Sequence, residues 1–519
     1  MKKNLAIYIT ALALLATLAV PVQLAAQSQP MVNDNAHQHR YRFVDLGTLG
    51  GPNVGISCCG IVPPILNNRG VAVGDADTSL SNPNFAIENP IIPPDPFINV
   101  AVAWYHGSPA SLGTLPGGYN SFGNAITANG DIVGVSETGD IDPLLGVVEA
   151  HPTLWTHGEI LDLGSFGGGE GSGSEANNFG QVVGFAQNST PDPFGYFGFP
   201  TQTRAFLWQN GVLQDLGTLG TGTDAGAIFI NDHGQIAGVS YTNSTPVPNS
   251  GQVCSPPDAI AVEVPTQHPF LWQSGKMLDL GTLGGNCAAP AAMNNRNQVA
   301  GNSDVADVTA NPHAFLWSRE EGMKDLGTLG GTFAQADDLN DAGDVVGAST
   351  LSGDQLFLAV LWKNGVIKAL GFLPGDCFSS AYTINSTGQI VGDSYDCNFL
   401  TRPFLWENGE MINLQKFVPA DADMILSEPC CINDRGEIAG YGFLSNGTAN
   451  AFLLIPCDQG EAGCEDGSSS KVTVNQSSSR TTDNGVSTDH SLTSDQALAA
   501  LRRRMNRHQK GLGVFAPSE

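Results

Sequence analysis

Apolar residues along this chain come in short runs of four to eight, cut by Gly, Asn and Asp. In one stretch Ala205-Phe-Leu-Trp208 is apolar, Asn210-Gly211 interrupts, and Val212 to Leu216 returns. Ala227 to Ile230 is a third run, Asn231-Asp232-His233-Gly234 a polar break, and Gln235 to Ser240 a fourth. Runs of that length between turn residues predict strands rather than helices. Asn-Gly suits a two-residue hairpin turn, because both central positions need positive φ. The stretch therefore predicts four strands joined by tight turns.

The same pattern recurs. All seven Trp fall at one position, Trp104, Trp155, Trp208, Trp272, Trp317, Trp362 and Trp406, and the last three intervals are 45, 45 and 44 residues. An Asp-Leu-Gly element starts at Asp45, Ser111, Asp162, Asp215, Asp279, Asp325, Ala369 and Asn413. An Ile-Asn-x-x-Gly turn and a closing Gly (Gly74, Gly134, Gly184, Gly238, Gly301, Gly347, Gly392, Gly440) follow each one, so there are eight of each. The first copy begins at Tyr41, with no Trp strand before it. The last is followed by Ala451-Phe-Leu-Leu454, a Trp strand carrying Leu. Four-stranded units of 40 to 50 residues with such ends predict an all-β fold: a β-propeller of eight four-stranded blades, its ring closed when the C-terminal strand completes the N-terminal blade. An open array would need polar capping repeats instead. The Trp series is expected to be core packing between blades.

These residues resemble the extracellular HAF-repeat proteins, whose His-Ala-Phe stands here as His313-Ala314-Phe315 and whose Asp-Leu-Gly-Thr-Leu-Gly-Gly stands as Asp325 to Gly331. The resemblance covers roughly Tyr41 to Cys457. It implies secretion and a repeated β fold, without an established activity. Ser111 and Ala369 depart from the motif, so its Asp is not obligatory for folding.

The chain starts Met1-Lys-Lys-Asn4, continues with sixteen apolar residues from Leu5 to Val20, and then offers Leu24-Ala25-Ala26. That order predicts a signal peptide over 1–26, too short to span a membrane, which takes about 20 apolar residues. No second run of spanning length follows. The expected organisation continues with an extension over 27–40, the propeller over 41–457, a disordered Ser/Thr-rich linker over 458–492 and a short basic helix and tail over 493–519. In an exported chain the ten Cys favour disulfides. Cys254 and Cys287, Cys377 and Cys397, and Cys457 and Cys464 are the plausible pairs. The doublets Cys58-Cys59 and Cys430-Cys431 could pair with each other or form vicinal rings.

Composition narrows the partners. The formal charge is −28, with 22 basic and 50 acidic residues among 519. Phosphate neutralisation needs Lys and Arg, so no nucleic acid is expected. The basic C-terminal helix, with Arg502, Arg503, Arg504, Arg507 and Lys510, could touch an anionic envelope or the acidic propeller. Nothing in the chain sets an oligomeric state.

Candidate chemistry lies in two places. From closing Gly to the next Trp the distances are 30, 21, 24 and 34 residues in the first four repeats, but only 16, 15, 14 and 14 in the rest. A propeller puts these insertions on one face, where aromatics such as Phe97, Tyr196 and Phe197 could meet a glycan or protein. Four residues before the Trp position stand His151, Arg204, His268, His313 and Arg402, a ring that could meet an anion; each could equally hydrogen-bond a neighbouring loop. No cofactor is required. Calcium is the one ion the Asx turns could collect, although none has the spacing of the twelve-residue calcium loop. Motifs for serine or zinc hydrolysis and for phosphate binding are lacking. The expected function is a secreted binding or interaction module, its ligand a polysaccharide or envelope component on the long-loop face. The alternative is an extracellular carbohydrate-active hydrolase or lyase with carboxylates in the channel.

Overall fold

The computed structural model describes residues 40–466 apart from 57–63, 86–88, 90, 93, 248–252, 254–262, 307–310 and 458–462. The expected signal peptide, extension, linker and basic helix fall outside the described residues, apart from the ends of the extension and linker.

Each repeat supplies four antiparallel strands in chain order. In the sixth, Gly330–Leu339 pairs with Val345–Leu351, which pairs with Phe357–Lys363, which pairs with Val366–Gly371. Two eight-stranded sheets are pairs of such units joined at one parallel bridge each, Glu170 with Ala150 and Gln267 with Cys287. First strands touch in sequence: Ser121–Ile126, Gly167–Ala176, Ala225–Ile230, Gly284–Met293, Gly330–Leu339, Phe378–Ile384 and Ile425–Ile432 each contact the next. They gather on one axis with the sheets radiating outward, so the all-β fold is a β-propeller.

The turns behave as the pattern required. Asn210 and Gly211 have φ of 53° and 79°, and Asn364 and Gly365 have 53° and 75°, both residues in the left-handed region. The grouping of strands differs from expectation. The Trp strand and its returning partner are the outer strands of one sheet, and the Asp-Leu-Gly tract then crosses to the first strand of the next. The orphan strand therefore does not complete an N-terminal sheet. Instead Arg40–Asp45, the first described strand, is the outer partner of Ala449–Pro456, with Phe43 opposite Leu454. Cys464–Asp466 then adds a fifth strand outside it.

The repeated Gly does not close the second strand. Gly301 lies inside Val299–Val305, opposite a bulge between Pro290 and Ala292. The bulge pushes the Ala289 carbonyl to 2.2 Å from where a Cβ would sit, and the Phe315 ring covers the same spot at 2.8 Å. The clash recurs at all eight glycines, with carbonyl oxygens at 1.9–2.3 Å. Glycine is needed there for close approach, at φ values any residue could adopt.

Between sheets, Trp104 packs with Ile126, Ile132 and Trp155. Six of the seven Trp are buried, and Trp208 is half-buried. Cys377 bonds to Cys397 and Cys457 to Cys464. Cys254, Cys58 and Cys59 lie outside the described residues. Cys431 keeps a free thiol, so no vicinal Cys430-Cys431 ring forms.

Candidate functional site

The face carrying the long loops also carries the Asp-Leu-Gly tracts, whose chemistry is local. The Asp accepts the N–H two residues on: Asp325 from Gly327 at 2.7 Å, Asp279 from Gly281 at 2.7 Å and Asp215 from Gly217 at 2.8 Å. Thr328 Oγ1 donates to the Gly331 carbonyl at 2.8 Å. Leu46, Leu163, Leu216, Leu280 and Leu370 are buried beneath.

The ring of basic side chains meets these same carboxylates. His151 Nδ1 lies 3.0 Å from Asp162, Arg204 Nε 3.0 Å from Asp215, His268 2.8 Å from Asp279 and His313 2.8 Å from Asp325. Arg402 pairs with Asp376 instead, because its own strand partner position holds Asn413. Each partner in the first four pairs sits on the same sheet, rather than on a neighbour's loop. In two repeats both partners are missing together: Val100 accompanies Ser111, and Leu358 accompanies Ala369. Asn450 donates to Asp45 at 3.1 Å, joining the last repeat to the first described strand. Burial works to raise Asp162, Asp279 and Asp325, but the histidine and Gly N–H hydrogen bonds outweigh it and hold all three below the usual carboxylate range. The bond to Asp325 raises His313 in turn. Removing Asp325 alone strands His313, whereas His313→Leu with Asp325→Ala reproduces the Leu358/Ala369 pair. The double variant is expected to unfold at a midpoint no lower than Asp325→Ala, with a coupling below about 1 kcal/mol for so open a pair. A double-mutant cycle by thermal denaturation measures it.

The long insertions are arms of extended strand more than loops. Second strands run 10, 10, 10 and 12 residues in Ala72–Ser81, Ile132–Ile141, Val182–Pro191 and Ile236–Val247, but 7, 7, 6 and 6 in the later repeats. Their aromatics turn largely inward. Phe199 joins Ile91, Ile92, Val135 and Phe185 in a buried cluster. Tyr196 meets buried Tyr241 edge-to-face at 5.7 Å. Phe97 is half-buried against Pro52 and Leu444 in a hollow of about 520 Å³, and the Phe197 side chain lies outside the described ones. Asn89 pins the first arm: its side chain donates to Glu170 at 3.1 Å and accepts from Ile91 and Ile92. Burial pushes Glu170 up to about 9. The face is thus covered by its own loops, and what stays exposed mixes aliphatic with aromatic side chains. Of the fifteen large hydrophobics exposed among the described residues, ten lie at this face, among them Leu80, Leu144, Leu400, Ile425 and Phe443.

The opposite face centres on the Asn turns. Each turn Asn accepts N–H groups of its own turn, as Asn340 does from Ala342 and Asp344 at 3.0 Å. Its amide then reaches the next repeat: Asn177 to the Asn231 carbonyl, then on to Asn294, Asn340, Asn385 and Asn433, at 3.0–3.3 Å. Asn433 reaches Asn67 at 2.9 Å and Asn67 reaches Thr127 at 3.1 Å. Thr127 has no amide, so that link is missing there, and only the second-position bond found in the other turns remains, from Ala128 N–H to Asn178. Each of the accepting carbonyls already takes an N–H of its own turn, Asn231 from Gly234 and Asn340 from Gly343 at 3.0 Å. The Asn amide therefore adds a second bond that ties one repeat to the next, worth about 0.5–1.5 kcal/mol.

These turns surround a funnel of about 430 Å³ with Asp232, Asp341 and Asp434 at its rim and Ile230, Leu339 and Ile432 below. It shares Leu66, Glu175, Met293 and Ile432 with an inner cavity of about 160 Å³, which Asp338, Thr383 and Cys431 also line. Burial pushes Glu175 up to about 8 and Asp338 up to about 6. Each accepts a main-chain N–H from the next first strand, Ile230 at 2.7 Å and Ile384 at 2.9 Å. Sequence reasoning missed this axial site, because each Asn reads as local turn chemistry until the repeats converge. Among the described residues no cluster of three His, Cys, Asp or Glu is arranged to hold a metal ion.

No family model matches the chain, and no curated protein matches it. Among solved structures it is similar to the β-propeller domain of the Trilobed protease from Pyrococcus furiosus, with 10% identity over 71% of this chain and 97% of that one, at a TM-score of 0.39. It is also similar to Porphyromonas gingivalis dipeptidyl peptidase 4, with 8% identity over 66% and 53% and a TM-score of 0.40. A third likeness is to the Aleuria aurantia lectin, with 10% identity over 57% and 96% and a TM-score of 0.26. At these scores the fold assignment rests on the strand pairing above, and the likenesses add nothing about activity.

Proposed function

We propose that this is an exported β-propeller of eight blades, closed into one ring by its N-terminal strand, which serves as an interaction module through the long-loop face. The pairing of Arg40–Asp45 with Ala449–Pro456 supports the closure, as does the Asn433-to-Asn67 link, which repeats the bond made between internal neighbours. The signal-like N-terminus and the Cys377–Cys397 and Cys457–Cys464 disulfides support export. The resemblance to HAF-repeat proteins gains physical content, since the His takes the Asp and the Phe covers the Gly.

The observation that carries the reading is the one-sided placement of exposed apolar side chains. Single exposed hydrophobics are ordinary, but ten of fifteen on one face mark a surface kept for a partner. Tyr196, Tyr241 and Phe199 turn inward, and the exposed set spreads Leu and Ile among Phe85, Tyr119, Phe372 and Phe443, so a broad apolar protein surface fits it better than a single flat sugar ring. Leu144→Glu with Leu400→Glu and Phe443→Glu is expected to abolish retention of the purified chain on immobilised envelope proteins, with an unchanged thermal midpoint. Equal retention by the variant sinks the reading. A carbohydrate-active hydrolase or lyase is the second reading, favoured by Glu175 and Asp338 sharing one cavity with unlike acidities. Reducing-sugar release that disappears in Glu175→Gln is its test.

A further inference from the structure

The axial funnel on the Asn-turn face has no occupant in the proposed function. Its walls carry Asp232, Asp341, Asp434 and Glu175 and no Lys, Arg or His. Arg69, Arg296 and Arg435, each third in its turn, do not line it; Arg69 donates to the Asn129 carbonyl of the next turn and Arg435 to Asn68 O and Glu437. Below the rim the floor is apolar. Beyond it lie Asp338 and Thr383, whose Oγ1 is buried with no hydrogen-bond partner. A cationic group with an apolar stem fits such a shaft: the stem crosses the Ile and Leu floor and the head meets the carboxylates.

The chain carries such a group and directs it to this side. Cys464–Asp466 runs antiparallel to Arg40–Asp45, with Asp466 opposite Arg40 and Cys464 opposite Arg42, so it heads toward the Asn-turn face. It is the outermost strand of a five-stranded sheet whose innermost strand, Ile425–Ile432, leads into Asp434. Four strand spacings of about 4.8 Å put roughly 19 Å between the two. Residues 467–493 form a Ser/Thr-rich stretch, and a polar linker of 27 residues spans roughly 26–31 Å on average. The span and the reach agree. The Arg-rich segment then follows: Arg502, Arg503, Arg504, Arg507 and Lys510, with Leu501 and Met505 among them.

We propose that the C-terminal segment 502–510 docks into the acidic axial funnel of its own propeller, inserting at least one Arg side chain toward Glu175 and Asp338. The tail is thereby a tethered ligand. A free cationic peptide of similar composition competes for the same shaft, and salt weakens the docking because most of the attraction is ionic.

The test places the photo-reactive residue p-benzoylphenylalanine at position 505 of the full chain and maps cross-links by mass spectrometry. Cross-links within one molecule to residues 66–68, 230–232, 339–341 or 432–434 are expected. Their yield should fall roughly fivefold in 0.5 M NaCl and in Arg502→Gln/Arg503→Gln/Arg504→Gln. It should fall similarly in Asp232→Asn/Asp341→Asn/Asp434→Asn, whose Asn carbonyls keep the main-chain hydrogen bonds and whose unchanged thermal midpoint confirms the fold. Cross-links to the long-loop face, to another copy, or only to added phosphatidylglycerol vesicles overturn the proposal, as does a yield indifferent to both triple variants. The long-loop substitutions above leave this result unchanged, so the two readings fail separately.

Discussion

A chain that starts at Leu46 is expected to lose cooperative folding. Residues 40–45 are the fourth strand of the last sheet, and nothing else in the described chain can take their place. Tyr41 is 2% exposed, against Phe417 at 4.8 Å and in one cluster with Leu454 and Phe452. Losing that one aromatic costs about 3–5 kcal/mol. The cut also bares Ala449–Pro456 as an apolar edge strand, removes the Asp45–Asn450 bond and unseats Cys464–Asp466. Together these losses approach the whole stability of a folded domain, about 5–15 kcal/mol. Calorimetry of the truncated and full chains measures the effect. A single sharp transition within about 5 °C of the full chain's would mean that the N-terminal strand does not hold the last sheet.

The distribution of stability follows from how the repeat was written. Strand positions, hairpin turns and the pairing of the chain's two ends were legible, because each depends on residues within one repeat or on a missing copy of one. Ala451 to Leu454 without a partner and Tyr41 without a predecessor already pointed at each other. Other features needed the third dimension. Gly301 reads as a strand end because glycine usually punctuates; it is internal because the bulge opposite pushes the Ala289 carbonyl into the Cβ position. The arms read as loops because Thr, Ser, Asp and Asn dominate them, yet main-chain pairing such as Ser81 with Phe97 continues through the polar residues.

The basic ring shows a signal that was present but unread. His313 and Asp325 are twelve apart in sequence and opposed across a hairpin, and their equivalents disappear together at Leu358 and Ala369. Comparing repeats within the chain would have exposed that dependence. The axial funnel offered no such signal. Asn340 serves its own turn first, and only its second bond, to the Asn385 carbonyl, makes the ring. Likewise Glu175 and Asp338 are two acids among 50 until the bulges turn them to one cavity.

Those buried acids set the pH at which the fold is strongest. Burial raises Glu170 to about 9, Glu175 to about 8, Asp75 to about 7, and Asp224 and Asp338 to about 6. In each the folded state holds its proton more tightly than the unfolded chain. Stability therefore falls as pH rises from the unfolded carboxylate value near 4 through each folded value. His313 acts in the same direction: its raised folded value stabilises below the ordinary histidine range and is lost as pH climbs through it. Asp162, Asp279, Asp325, Asp354 and Asp434 are held low and act oppositely, their contribution present above about pH 4 and lost below. The two sets cross near pH 4, where the low carboxyls are largely ionised and the buried ones have not yet begun to lose their contribution. The thermal midpoint is expected to peak there and to drop by roughly 5 °C or more by pH 8.5, and again below pH 3.5. Calorimetry across pH 3–9 at fixed ionic strength decides it, and Glu170→Gln separates the buried acids from the overall negative charge. That variant keeps a side-chain acceptor for Asn89 without the ionisation, so it should flatten the alkaline limb. An alkaline limb of the same slope in Glu170→Gln would assign the decline to the general charge of −28 instead.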